Sequence, residues 1–380
     1  MNGGTMLDLT DIPVIDNHCH SMLLHQHLDT VTYRSYFTEA TAPVFAQQHV
    51  QHTVYYLWMV RHLARFLDCE STEEAVIAAR QQISSDELVQ RLLRAGKIKG
   101  LVLDGAYPPP EQCYSAEQLA ALSGVRVVSL LRLEVLMQDL LQTCADFDEY
   151  LERYREAISN VREKGYCGFK SIVAYRAGLN IAEWSKEQAR LAFQAARTEV
   201  AQRGRIQLRS KPLIDYLLHI AFASACEQRL PVQFHTGYGD SDTDMLLGNP
   251  LHLRPVLEAY QEMSVVLLHE SYPYSQLGAY LAAIYPHVYF DLSYTIPFVE
   301  KLEMLAFTRQ ALSIAPASKL TYSSDGIYVP EMHWASALRG RAVLAQVLQE
   351  MIDADELDEQ QAHDLAEFVL YKNAAQLYGV

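Results

Sequence analysis

Residues 13–20 read PVIDNHCH. A short apolar, β-branched run ends there on two histidines one residue apart, and runs of this length and composition form strands. Side chains alternate faces along a strand, so His18 and His20 point one way and Cys19 the other. Two imidazoles one pleat apart can chelate one metal ion. In a chain with 14 histidines such a pair proves little alone, so the rest of the sequence must decide.

Seven further runs read as strands: 98–104 (IKGLVLD), 125–133 (VRVVSLLRL), 168–173 (GFKSIV), 230–235 (LPVQFH), 264–269 (SVVLLH), 288–291 (VYFD) and 319–323 (KLTYS). Segments 147–163, 186–203, 212–227, 250–263, 274–284, 297–314 and 331–351 carry apolar residues at three- and four-residue spacing, the helical pattern. Strands alternating with helices indicate parallel βαβ units, and eight strands predict a closed (β/α)8 TIM barrel. The alternative is an open doubly wound sheet, which lacks support because no Gly-rich turn follows the first strand. In a barrel, His18 and His20 face the interior near the C-terminal rim, and Cys19 faces the helices.

Residues 21–96 interrupt this alternation. They read as helical, with 42–67 as one long helix and 71–83 as another, and Ser71 with Glu74 has the spacing of a capping box. The barrel is then residues 1–20 and 97–380, with 21–96 a helical cap insertion over the C-terminal mouth or, alternatively, an appendage on the flank. Runs 203–211 (RGRIQLRSK) and 353–359 read as solvated turns between helices.

Other strand ends carry polar residues too. The fourth strand contains Lys170, the fifth ends in His235, the sixth in His269, and Asp325 follows the eighth. In a barrel all these ends meet at one mouth, where imidazoles with a carboxylate suit zinc or a similar divalent ion.

Composition narrows the function. Half of the 380 residues are apolar and a fifth charged, as in an ordinary globular protein. A net charge of −15 disfavours nucleic acid and anionic membranes as partners. No run is apolar enough for a transmembrane helix, and no signal peptide or Walker-type loop is expected. The six cysteines form no CxxC pair, which predicts buried, reduced thiols and a cytoplasmic protein.

The chain resembles the amidohydrolase superfamily, in its amidohydrolase-related branch, and looks most like the amidohydrolase domain that some proteins carry fused to a glutamine-synthetase-like domain. The resemblance lies in VIDNHCH, SYFTEA, GFKSIVAYRAGL, FHTGYGDSDTDMLLGNPLHLRP, LLHESYPY and YSSDGIYVPE, and spans nearly the whole chain. A synthetase-like domain is not expected within these 380 residues. The resemblance implies that His18 and His20 bind a divalent metal, most simply Zn2+, and that Asp325 binds or flanks it and acts as general base and acid. It makes His235 a ligand, and His269 a ligand in a two-metal site or otherwise a catalytic hydrogen-bond donor. Lys170 is implied as a carboxylated bridge between two ions; uncarboxylated, it binds a substrate carboxylate or pairs with a neighbouring acid.

The implied chemistry is hydrolysis of a small amide, ester or lactone by a metal-activated water, with Asp325 shuttling the proton and His269 or Tyr238 helping to hold the oxyanion. No GxSxG elbow competes with this scheme. Tyr175, Arg176, Tyr238, Glu270 and Glu331 follow the strand ends as substrate-binding candidates. Arg176 is a carboxylate clamp, or an ion-pair partner of Asp240 or Glu270. Asp240 and Asp242 read as hydrogen bonders of their loop. His25, Tyr33, Tyr36 and Phe37 line the pocket from the cap or form the cap's own core; His49, His52 and His62 read as non-functional. The alternative functions are a metal-dependent decarboxylase or isomerase on the same site, and a non-catalytic metal-binding protein. The expected partner is a small-molecule substrate, with a homodimer as the commonest assembly.

Overall fold

The structure is a computed structural model that describes residues 6–239, 241, 243–294 and 299–380. All eight expected strands are present: β1 (Val14–Cys19), β2 (Ile98–Leu103), β3 (Arg126–Arg132), β4 (Tyr166–Ser171), β5 (Val232–Phe234), β6 (Val265–Leu267), β7 (Val288–Ser293) and β8 (Leu320–Ser323). They form one sheet in the order β1 to β8, with parallel pairing. The fold is a (β/α)8 barrel. A doubly wound sheet would reverse its strand order, and this one does not.

The chain divides into two compact units, Met1–Val128 with Asp291–Val380, and Ser129–Phe290. The first holds β1, β2, the start of β3, the end of β7 and β8. All six residues of β1 are buried, as expected of a strand covered on both faces. The β1–β2 register shifts between Asp16 and Cys19, an irregularity of the kind that re-aims side chains beside functional sites. The end of β8 is stapled to β1: the N–H of Asp325 donates to the His18 carbonyl at 3.0 Å, and the N–H of His20 to the Gly326 carbonyl at 2.8 Å.

Residues 21–96 are mostly helical, but the boundaries differ from expectation. The single helix over 42–67 is instead Pro43–Gln48, a 3-10 turn Val50–His52, and Val54–Leu67. Thr53 makes the break: it is extended, and its hydroxyl caps the last helix by accepting from the Tyr56 N–H at 3.2 Å. The next helix is Glu73–Gln81, capped by Thr72 rather than Ser71, and Ser84 caps a further helix, Ser85–Ala95. Their apolar faces share one core, including Phe37, Tyr56, Met59 and Leu63, with Val329, Met332 and Trp334. The last two lie on the long helix Pro330–Asp353.

The second unit holds the end of β3, β4 to β6 and the start of β7. Helix Lys186–Arg203 opens on a capping box made by Ser185 and Gln188 and ends at Gly204 with φ 78°. Helix Lys211–Gln228 carries a proline in its first turn and ends at Arg229 in the left-handed region. Residues 203–211 thus form the expected connection. The segment read as helix 250–263 is shorter, a 3-10 turn Pro250–Leu253 followed by Arg254–Ala259. Helix 297–314 is observed as Lys301–Ile314, and residues 297 and 298 lie outside the described residues, as do Asp240 and Asp242.

All six cysteines are free, but only Cys19, Cys113, Cys144 and Cys167 are buried; Cys69 and Cys226 are partly exposed, against the expectation for all six. Among the described residues no helix is long and apolar enough to cross a membrane.

Candidate metal centre and its surroundings

In the first unit, His18 Nε2 and His20 Nε2 face the same oxygen, Asp325 Oδ1, at 3.4 and 3.6 Å. The His18 side chain is wholly buried; those of His20 and Asp325 retain 12% and 16% exposure, so the cluster opens on one side. The two rings meet edge to face, with centroids 5.2 Å apart. Four tetrahedral donors at about 2.1 Å from one ion stand about 3.4 Å from each other, so this spacing fits a divalent metal.

The tautomer also fits. His20 Nδ1 lies 3.1 Å from the Asp104 carbonyl and 3.0 Å from the Tyr107 carbonyl, and both groups only accept. The proton therefore sits on Nδ1, and the Nε2 lone pair faces Asp325.

The turn that carries Asp325 is tightly built. Asp325 is left-handed at φ 50°, an uncommon conformation for a non-glycine residue. The N–H and hydroxyl of Ser324 both donate to the buried Asp16 carboxylate, and the Gly326 N–H donates to Ser324 Oγ at 2.8 Å. A Cβ at Gly326 would stand 2.8 Å from the His333 ring, so only glycine lets the turn lie this close. Cys19, on the irregular stretch of β1, points its thiol at the Val102 carbonyl at 3.7 Å. Burial, then the charges of Asp16, Asp325 and Asp104, hold that thiol well above its ordinary pKa.

Sequence reasoning missed several residues here. Asp104, fully buried, follows β2 just as Asp325 follows β8. The Tyr107 and Tyr328 hydroxyls bond at 2.6 Å, and Tyr36 packs against Tyr328 with centroids 5.6 Å apart. These three tyrosines make an aromatic rim, with Tyr107 edge-on to His20 at 6.2 Å. Tyr107 and Tyr328, the two that were missed, sit on loops that carry no periodic signal. Of the insertion residues considered, Tyr36 reaches this rim, whereas Tyr33 and Phe37 are buried in the insertion's core and His25 is exposed. His49 and His52 are exposed, and His62 stacks on Trp58.

Glu331, expected as a substrate contact, is fully buried and bonded to Arg80 at 2.7 Å. Its role is to anchor the insertion.

The second unit has its own group of buried polar residues. Lys170, His235, His269, Tyr238 and Glu270 are all buried. The His235 ring centroid lies 4.4 Å from that of His269 and 4.7 Å from that of Tyr175, and Tyr238 and His269 are 5.7 Å apart. His235 Nε2 also contacts the Tyr238 carbonyl. Arg176 lies over the Tyr175 ring at 5.2 Å. Near it is buried Glu134, which accepts from Ser171 Oγ at 2.7 Å and the Ile172 N–H at 3.0 Å. Burial still pushes the Glu134 carboxyl above its ordinary value; those hydrogen bonds and the Arg176 charge oppose the shift.

After β6 the backbone is strained: His269, Glu270 and Ser271 are successively left-handed at φ 60°, 61° and 49°. L-residues visit this region singly and at a cost, so three in a row require the surrounding structure to hold them. That support includes Gly237, whose Cβ would stand 2.3 Å from the Tyr272 carbonyl oxygen, and the Tyr238 N–H, which donates to the same carbonyl at 2.8 Å. The strain explains why β6 stops at Leu267, two residues short of the predicted end.

A family model described as "Amidohydrolase" matches residues 144–380. Protein fluG of Emericella nidulans is 28% identical over 400 residues, covering 96% of this chain and 45% of its own length, so the chain spans about half of that relative. The crystal structure of a candidate metal-dependent hydrolase from Lactobacillus casei superimposes with a TM-score of 0.87 at 27% identity, covering 99% of this chain and 98% of that one. A uronate isomerase from Bacillus halodurans shares the fold at a TM-score of 0.65 and 14% identity, covering 97% and 94%. With the family model matching more than half of its length, the chain belongs to the amidohydrolase family.

Proposed function

We propose that the chain is a metal-dependent hydrolase that cleaves a C–N bond in a small amide, or an ester or lactone bond. The observation that carries this reading is the convergence of His18 Nε2 and His20 Nε2 on one Asp325 oxygen. Two imidazoles and a carboxylate suit Zn2+ first among divalent ions. The bound ion supplies a Lewis acid and a water of lowered pKa.

The remaining work falls to the chain. Asp325, the partly exposed carboxylate of the cluster, takes the proton of the attacking water and returns it to the leaving amine. The Ser324 and Gly326 hydrogen bonds hold its turn still while it does so. The reading gives His235 and His269 further ligand or hydrogen-bond roles, and makes Lys170 a carboxylated bridge or a substrate contact. Their support is the family resemblance and their positions at or just beyond the ends of β4, β5 and β6. Tyr175, Arg176, Tyr238 and Glu270 then contact a small-molecule substrate, with residues 21–96 capping the mouth. Six free thiols suit a reducing, cytoplasmic setting.

The test is metal content per chain on untagged protein, with intact mass read for one added CO2 at Lys170, followed by an amide and lactone screen in isotope-labelled water. Label entering the product supports hydrolysis. Isomerised product, as the uronate isomerase fold-mate would give, or released CO2, overturns it. A protein that binds no ion after reconstitution overturns the metal centre itself.

A further inference from the structure

We propose that Asp104, at the end of β2, is a further metal-ligating side chain, so that the ion is held by two imidazoles and two carboxylates. The inference rests on the metal-centre reading above and adds a donor to it.

Geometry comes first. A carboxylate oxygen of Asp104 and one ring nitrogen each of His18 and His20 lie within 4.8 Å of one another. Three donors evenly spread about one ion at about 2.1 Å stand about 3.6 Å apart. The three atoms thus reach a common ion with shifts of up to about 0.7 Å each, which side-chain rotations supply.

The backbone holds Asp104 in that position. Its N–H donates to the Cys19 carbonyl at 2.9 Å, and its own carbonyl accepts from His20 Nδ1. The residue is therefore tied to the histidine strand twice, and it fixes the tautomer that leaves His20 Nε2 available. Its carboxylate is turned by the Ala106 N–H, which reaches Oδ1 at 3.4 Å. The side chain is wholly buried.

The two carboxylates then divide the labour. Asp104, buried and pinned, anchors the ion. Asp325, 16% exposed, carries the proton. Environments that differ in this way separate the roles of paired acids. A second carboxylate also hardens the donor set, which raises the affinity for Mn2+ and Fe2+ relative to that for Zn2+.

The experiment compares the wild-type full chain with Asp104→Asn, reconstituted in turn with Mn2+, Zn2+ and Co2+. Dissociation constants come from competition with a chelator, and the visible spectrum of the Co2+ protein reports its coordination. Asp104→Asn is expected to weaken Mn2+ binding by at least about tenfold. It should weaken Zn2+ binding less and alter the Co2+ spectrum, while the metal-free protein melts as wild type does. A stoichiometric wild-type protein with an Asp104→Asn variant of equal affinity and identical Co2+ spectrum overturns the assignment but leaves the metal centre standing. A wild-type protein that binds none of the ions overturns both. Should the variant not fold, the anomalous peak of Mn2+ in wild-type crystals decides: it lies within bonding distance of the Asp104 carboxylate, or the proposal is wrong.

Discussion

The Arg80 guanidinium donates through Nε to the Glu331 carboxylate at 2.7 Å, with the two side chains 2% and 0% exposed. Arg80 sits on helix Glu73–Gln81, and Glu331 is at the start of helix Pro330–Asp353. The Gln26 side-chain oxygen accepts from the same guanidinium. The pair therefore locks the insertion onto the segment that follows the Asp325 turn. Glu331→Gln leaves a buried guanidinium without its countercharge, and breaking a buried pair in this way costs about 3–5 kcal/mol. Urea unfolding should show that loss. The double replacement Arg80→Met with Glu331→Leu should recover most of it, because matched apolar groups remove both desolvation penalties. If Glu331 instead contacted substrate, Glu331→Gln would raise KM in the fully folded fraction, and no such rise is expected.

Metal loading should appear as stability. An ion that binds only the folded chain adds about 4 kcal/mol at a thousandfold excess over its dissociation constant. Chelator-treated protein should melt at a lower temperature than the reconstituted form. His18→Ala and His20→Ala should abolish the increment, whereas Cys226→Ser, in the other compact unit, should keep it. A melting temperature indifferent to chelator and to every divalent ion would count against the cluster as a metal site.

The thiols predict a pH dependence. Burial raises all six: Cys113 to about 11 and Cys167 to about 12, with Cys19, Cys69, Cys144 and Cys226 also above the ordinary value. A raised folded-state pKa means that the stabilisation is complete below the unfolded thiol pKa and is lost as pH rises through the folded one. Alkylation at about pH 8 should therefore be slow throughout, since the thiolate is the nucleophile. Partly exposed Cys69 and Cys226 should label first, and Cys19 only as fast as the chain opens. Peptide mapping by mass spectrometry checks the order. Rapid labelling of Cys19 in native protein would contradict its burial.

The barrel was legible because its signals are local. Each strand is a short apolar run, and a strand's period of two places His18 and His20 together without knowledge of any other residue. Asp325 was legible because it closes a strand with a carboxylate. Asp104 closes β2 in the same way, but it stands alone in its segment, and only the fold brings it to the histidines. The Glu331 pair is illegible for the complementary reason: its partner Arg80 is 251 residues away, beyond any pattern in the chain. The helix starts in the insertion went astray where Thr53, Thr72 and Ser84 cap, because neighbouring hydroxyls such as Ser71 compete for the same role and tertiary packing chooses between them.

The Asp325 turn supplies the last prediction. Its left-handed φ of 50° is held from two sides: the Asp325 N–H is bonded to the His18 carbonyl, and Ser324 is clamped on Asp16 by its N–H and hydroxyl. Ser324→Ala keeps the backbone bond but removes the hydroxyl that donates to Asp16 and accepts from Gly326. A buried acceptor that loses its donor costs about 1–3 kcal/mol, and this loss should appear in the melting of the metal-free protein. Loss of an orienting partner behind a ligand typically weakens metal affinity by about 10–100-fold. The two effects separate cleanly. If Ser324 only props up the fold, the loaded and metal-free proteins lose the same stability. If it aims Asp325, the loaded protein loses more, by the fall in ion affinity measured independently. The second outcome is expected, because the hydroxyl ties Gly326, the residue after Asp325, to Asp16 on β1, and Asp325 faces both histidines.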